Sequence, residues 1–388
     1  MLVKKALQVT ALTVSVIILI GCSILERADP GSVRWNYPND LPFVSGFSIQ
    51  ADSWANAGVM RVEIVDTYAF LTTIEADLIV LDISDPTKLI VVSEYEVGWG
   101  RVDDMTIQDQ LLFLVSQDEG LVIVDISDPT NLVKKGKYAQ QSDRPTSIVV
   151  IDQFAYFYAP VASNKLPEEA GWLYQEPHLY ILDITDVNSP KLVRDLSEIA
   201  QPMAISNNYL YTGGRWTDGP EPGQGGSKLQ VIDVSDPANP IRVSEVRLQG
   251  WIHDIAIHDN MAFIGLGNGI NIIDVSDPIM PQIIRDDLYR IGTFHRIAFE
   301  HNILVGGFVW VVQAELAHDT VDVRPLARLD QRKLGNRLCS GPHTADAEIS
   351  YCSPIGFHGT SNDIALNNGY VYVATDVNGL LIFNVQNE

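Results

Sequence analysis

Histidine, aspartate, asparagine and arginine recur at matching places in this 388-residue chain, just ahead of seven short alternating apolar segments. Two residues before the first apolar residue stand Asp103, His253, His295 and Asn362 in four segments, and Met60, Thr146 and Gln201 in the others. The next position holds Arg61, Asp104, Ser147, Pro202, Asp254, Arg296 and Asp363. Two imidazoles with a carboxylate suit a divalent transition metal, which makes His253, His295 and Asp103 the candidate ligands. Histidine beside aspartate also suits acid–base chemistry. The wider candidate is a ligand-binding mouth made of Asp103, His253, Asp254, His295, Arg296, Asn362 and Asp363. A divalent metal is the one cofactor these residue types suggest. A plainer reading is that polar side chains at a wet opening bond nearby backbone whatever the protein does. No H-x-H, H-E-x-x-H or calcium-loop spacing strengthens the metal, and no G-x-S-x-G elbow, phosphate loop or dinucleotide glycine pattern supplies a catalytic residue.

The elements that would position these residues are strands. Leu121-Val122-Ile123-Val124-Asp125-Ile126-Ser127-Asp128-Pro129 returns at Leu78–Pro86, Leu229–Pro237 and Ile270–Pro278, and more loosely at Leu179–Asp186. The Val/Ile run reads as a buried strand. The Asp, Ser/Thr, Asp and Pro that follow end it, because the polar side chains bond nearby backbone and proline cannot donate to a ladder. Five copies make a repeat array. Asp82, Asp125, Asp183, Asp233 and Asp274 are therefore turn formers rather than acids. Ahead of each copy lies a hairpin whose tip is Asp or Asn, such as Asp66, Asp109, Asp152, Asn207-Asn208 and Asp259-Asn260. These residues tolerate the left-handed conformation of tight turns.

The D-[IV]-[ST]-D-P motif resembles the LVIVD-repeat family of extracytoplasmic bacterial and archaeal β-propellers, over roughly residues 41 to 388. The resemblance implies an all-β propeller and a periplasmic or surface location, and no settled reaction. Seven hairpins then give seven blades of four antiparallel strands each. Residues 41–49 have no strands ahead of them to complete a blade, and 380–385 has no strand after it. The expectation is that the two pair, so that an N-terminal strand closes the ring and removes the open sheet edges. Residues 310–357 read as an irregular insertion in blade six, with a basic run at Arg324, Arg328, Arg332, Lys333 and Arg337. Long connections at Ala159–Pro177 and Gly213–Ser227 point to a built-up binding rim.

The N-terminus carries Lys4 and Lys5, an apolar run from Ala6 to Ile20, and Gly21-Cys22. That is the pattern of an export signal. Leu19-Ile20-Gly21-Cys22 looks like a bacterial lipobox, and by that resemblance residues 1–21 are a lipoprotein signal peptide and Cys22 is lipidated. Residues 22–40 read as a tether and 41–388 as the propeller. The remaining cysteines, Cys339 and Cys352, are expected to form a disulfide in an oxidising compartment. The formal charge of −23 argues against nucleic acid as a partner, since phosphate recognition needs a basic surface. The expected protein is a monomeric lipoprotein, extracytoplasmic and lipid-anchored to the bacterial cell membrane or outer membrane. It would bind or scaffold an envelope protein, glycan or small ligand. The alternative is a metal-dependent hydrolase or lyase at the channel mouth.

Overall fold

The computed structural model describes residues 39–328 and 361–385, apart from 41–42, 48–57, 75–76, 98–100, 117, 140–144, 163–174, 198, 200, 217–225, 268, 290–295, 301–302, 307–309, 318–319 and 376–378. Cys22, Cys339, Cys352 and His295 lie outside the described residues, as does most of the expected insertion.

The chain is an all-β propeller of four-stranded antiparallel blades. In the first sheet the strands are Val59–Val65, Tyr68–Thr73, Asp77–Asp82 and Ile90–Glu96, hydrogen-bonded in that order. Six sheets have four strands. The innermost strands are Val59–Val65, Val102–Gln108, Ser147–Ile151, Met203–Ser206, Ile252–His258, Ile297–Glu300 and Ser361–Asn367. Each neighbours the next, and Ser361–Asn367 lies beside Val59–Val65. Phe43–Phe47 is the outer strand of the last sheet. It lies antiparallel to Gly379–Asn384, with Phe43 opposite Phe383 and Phe47 opposite Leu380.

The sheet begun by Ile297–Glu300 departs from the four-strand expectation. Its third and fourth strands are Trp310–Ala317 and Thr320–Arg328, at the start of the segment read as an irregular insertion. Neither carries the D-[IV]-[ST]-D-P signature, so the repeat pattern did not reveal them. A fifth strand, Asn39–Asp40, runs parallel to Thr320–Arg328 on its outer edge. The expected long connections are also shorter than the sequence suggests. Strand pairing extends to Ala162 with Gln175, and to Trp216 with Gly226.

The core is a series of layers between neighbouring sheets. Phe70, Leu78 and Val80 of the first sheet pack on Met105, Leu112, Leu114 and Val122 of the second. Phe47, Tyr372, Leu380 and Ile382 of the last sheet pack on Val62, Leu71, Ile79 and Leu81 of the first. Because both faces of each middle strand are covered, these strands are apolar throughout rather than alternating, and Leu121 to Val124 are fully buried.

The turns follow the sequence reading. Asp82 accepts a bond from the Ser84 amide at 2.9 Å, and Asp125, Asp183, Asp233 and Asp274 do the same two residues on. The second aspartate of each turn repeats the device, as where the Thr87 amide donates to Asp85 at 3.0 Å. Hydrogen bonds to Ser84 and to Ser127 hold the Asp82 and Asp125 carboxyls below the usual range. At the hairpin tips Asp66, Asp109, Asp152, Asn207, Asn208, Asp259 and Asn368 all have positive φ.

An outer latch joins neighbouring blades. The hydroxyls of Ser93 and Ser244 donate at 2.6 Å to the carbonyls of Pro129 and Pro278 in the next blade's turn. Ser45 of Phe43–Phe47 makes the same bond to Pro86. In the second sheet the equivalent position is Gly136, which faces Val187, the residue replacing proline in the looser repeat. A Cβ on Gly136 would stand 2.2 Å from the Val187 carbonyl oxygen. Gly136→Ala should therefore cost about 1–3 kcal/mol through overpacking. Ser93→Ala should cost about 1 kcal/mol, the worth of one hydrogen bond. Denaturant unfolding of both variants checks the order, and wild-type stability in Gly136→Ala would contradict it.

Candidate functional site: the charged ring at the channel

The aligned residues ahead of the inner strands do come together, and their carboxylates are directed at neighbouring blades. Asp104 accepts the Ile148 amide at 3.0 Å, Asp254 accepts the Ile297 amide at 2.8 Å, and Asp363 accepts the Val62 amide at 3.0 Å. In each case the donor lies in the inner strand of the following sheet. It also follows directly on the residue aligned with the aspartate, whether Ser147, Arg296 or Arg61. One oxygen of each carboxylate thus joins two blades, and the second takes the arginines. Arg61 donates to Asp104 at 3.1 Å, while Arg296 stands 3.9 Å from Asp254 and 4.0 Å from Asp363. Both guanidinium groups also reach the Asn362 carbonyl, at 3.2 and 3.3 Å. The Asn362 side chain in turn donates through Nδ2 to the Val59 carbonyl at 2.9 Å.

Burial governs the charges. Removal from water pushes the Asp254 carboxyl up to about 6, against the opposing pull of Arg296 and the Ile297 amide. It raises Asp363 as well, although Arg296 and Arg61 oppose it. Glu63, partly buried on the strand that carries Arg61, feels the same carboxylates. Burial, with Asp363 and Asp104 adding repulsion, pushes its carboxyl up to about 8.

Of the residues singled out from sequence, Asp254, Arg296, Asn362 and Asp363 meet in this ring. Asp103 serves a different contact. Its side chain is buried, Arg101 holds its Oδ1, and its Oδ2 has no hydrogen-bond partner among the described residues. His253 is partly buried with its imidazole beside Gly267. His295 is outside the described residues. Among the described residues no three His, Cys, Asp or Glu side chains are grouped to hold a metal ion. Arg61 and Asp104 stand in the same aligned positions as Arg296 and Asp254, and that alignment was the signal for them. Glu63 had no such signal, because Val62-Glu63-Ile64 reads as an ordinary alternating strand with its acid in solvent.

Repeats of the described geometry also match a known family. The LVIVD repeat matches residues 58–97, 99–140, 223–247, 249–285 and 358–387. The chain carries five LVIVD repeats. Comparison with curated proteins finds no match. Among solved structures, the WD40 domain of Neurospora crassa Pan2 aligns with a TM-score of 0.57 at 8% identity, over 85% of this chain and 90% of that one. The computationally designed Ika8 protein aligns with a TM-score of 0.50 at 8% identity, over 84% of this chain and 96% of that one. At such identity the likeness of the LVIVD-repeat chain to either is one of fold.

The ring's contribution can be measured at Asp104, which joins the first, second and third sheets. Asp104→Ala should destabilise the protein by about 3 kcal/mol, because it strands the buried Arg61 charge and the Ile148 amide. Adding Arg61→Met should recover part of the loss. Chemical denaturation of the two single variants and the double variant checks this. Additive losses would contradict the pairing.

Proposed function

We propose that this LVIVD-repeat protein is a non-enzymatic binding or scaffold module of the cell envelope, tethered by a lipid on Cys22. It would engage a protein, glycan or small ligand through the rim that bears its variable connections. The observation that carries the reading is the contrast between the two rims. One rim repeats the same double-aspartate turn at 82–85, 125–128, 183–186, 233–236 and 274–277. On the other rim the connection between second and third strands runs from the tight turn before Gly120 to the spans between Ala162 and Gln175 and between Trp216 and Gly226. Uniform turns build a scaffold, and variation in loop length is how a scaffold acquires a binding face.

In the same reading the protein is a monomer whose seven inner strands form one ring. The pairing of Phe43–Phe47 with Gly379–Asn384 joins its ends, and Ser45 supports this by repeating the latch seen between internal blades. Residues 1–21 are the signal and Cys339 with Cys352 a disulfide, while the tether expected over 22–40 ends before Asn39–Asp40, which pairs with Thr320–Arg328. The channel chemistry supports a binding module over an enzyme, because the carboxylates of Asp104, Asp254 and Asp363 are committed to neighbouring amides.

The test is to express the full chain and Cys22→Ala in a bacterial host with labelled palmitate, and to capture envelope components on each. The expected result is label and membrane fractionation in the parent only. A captured component should be lost when residues 163–174 are replaced by a Gly-Ser loop. Label on Cys22→Ala would contradict the anchor. Capture indifferent to the loop would contradict the binding rim.

A further inference from the structure

We propose that the rim carrying the double-aspartate turns rests on a lipid surface, which it enters through Ile279 and Met280 in the turn of the fifth blade. The inference rests on the Cys22 anchor proposed above and adds the face that the anchor holds against the membrane.

The fifth turn keeps the backbone of the others and changes its tip. The Ile279 amide donates to the Asp277 carboxylate at 3.1 Å and the Met280 amide to the Asp277 carbonyl at 3.0 Å, as in the other four turns. Those four place Thr87-Lys88, Thr130-Asn131, Asn188-Ser189 and Ala238-Asn239 there. Thr87, Thr130, Asn188 and Asn239 also bond the turn aspartate through their side chains. Ile279 and Met280 have no group that could do so, and at 61% and 65% exposure they do not fill the core either. Neither the turn nor the core explains two large apolar side chains at this tip.

They have apolar neighbours on the same rim. Ile241, 63% exposed, begins the outer strand of the fourth blade opposite Asp233. Ser244 fastens that strand to Pro278 of the fifth turn. Ile283, 42% exposed, lies opposite Ile273 near the start of the fifth blade's outer strand. Single exposed apolar residues are ordinary, but four on adjoining blades of one rim mark an interaction surface.

The N-terminal strands point to the occupant. In the sheet begun by Ile297–Glu300, Thr320 faces Ala317 at the connection of third and fourth strands, which is the rim of the turns. Asn39–Asp40 runs parallel to Thr320–Arg328, so it leads away from that rim. Phe43–Phe47 does the same, since it starts opposite Phe383 near the end of a third strand. Both N-terminal strands thus direct their starting ends at the rim of the apolar patch, and Thr320–Arg328 lies beside the outer strand of the fifth blade. Sixteen residues separate Cys22 from Asn39, a reach of at most about 60 Å. A lipid on Cys22 keeps a bilayer within that distance, so a small apolar contact suffices where it would fail in free solution. The exposed carboxylates of Asp236 and Asp277 repel anionic headgroups, which makes the fitting surface a zwitterionic one. The rim with the variable connections then faces away from the membrane.

The lipidated full chain in phosphatidylcholine vesicles tests the contact through oxidation of Met280 by chloramine-T, a charged oxidant, read by peptide mass spectrometry. Met280 should oxidise about fivefold more slowly than in a variant carrying Ile241→Ser, Ile279→Ser and Ile283→Ser, because a thioether held in lipid is hidden from the oxidant. The three substitutions are at exposed sites, and the buried Met105, Met203 and Met261 report in the same spectra that both proteins remain folded. Equal rates at Met280 would overturn the proposal. So would protection that vanishes as lipid is raised at fixed protein, which would assign the patch to a second copy of the chain, or protection that strengthens when phosphatidylglycerol is mixed in. Flotation of the same samples separates the two readings. Failure to float would contradict the anchor and this contact with it, whereas flotation with Met280 open to the oxidant would contradict the contact alone.

Discussion

The bond from an aspartate on one inner strand to a backbone amide on the next is the interaction on which the arrangement rests. Inner strands face a channel, so their channel-side edge has no further strand to satisfy it, and an amide left unpaired there costs free energy. Asp104, Asp254 and Asp363 supply the missing acceptor for Ile148, Ile297 and Val62. The solution brings a second problem, because it gathers carboxylates where water is scarce. Arg61 and Arg296 answer most of it, and Glu63 remains as the group whose charge the site accommodates least.

The outer fastening has a different chemistry. Ser45, Ser93 and Ser244 use neutral hydroxyls to reach proline carbonyls, which accept because they lie in turns already shaped by two aspartates. Polar contacts thus fix register at the inside and the outside of the blades. Between them, the apolar layers supply the bulk of the stabilisation by removing large side chains such as Phe70, Phe113, Tyr156 and Phe263 from water. Gly136 shows how local this matching is. Where the repeat replaces proline with Val187, the partner position loses its side chain altogether.

Much of this was legible in the sequence. The double-aspartate turns and the left-handed Asp/Asn tips were readable because their chemistry is local and each motif carries its own partners. The strands 310–328 were harder, since their sheet lacks the repeat's stop signal and Pro325 interrupts the pattern. The ring was half legible. Alignment found the positions of Asp254, Arg296, Asn362 and Asp363, but a polar residue beside a channel can face a ligand or a neighbour's amide, and strand twist decides between them. Asp103 and Asp104 make the point, for adjacent acids of one strand take separate roles, one on Arg101 and one across two blades. Glu63 was invisible because the carboxylates that raise it, Asp104 and Asp363, belong to other blades.

Amide hydrogen exchange at Val62, Ile148 and Ile297 tests the central interaction most directly. All three amides belong to inner strands, and each should exchange slowly because a carboxylate of another blade accepts it. In Asp363→Ala, protection should fall at Val62 and remain at Ile148 and Ile297. Loss of protection at all three together, or rapid exchange at Val62 in the unaltered protein, would contradict the account.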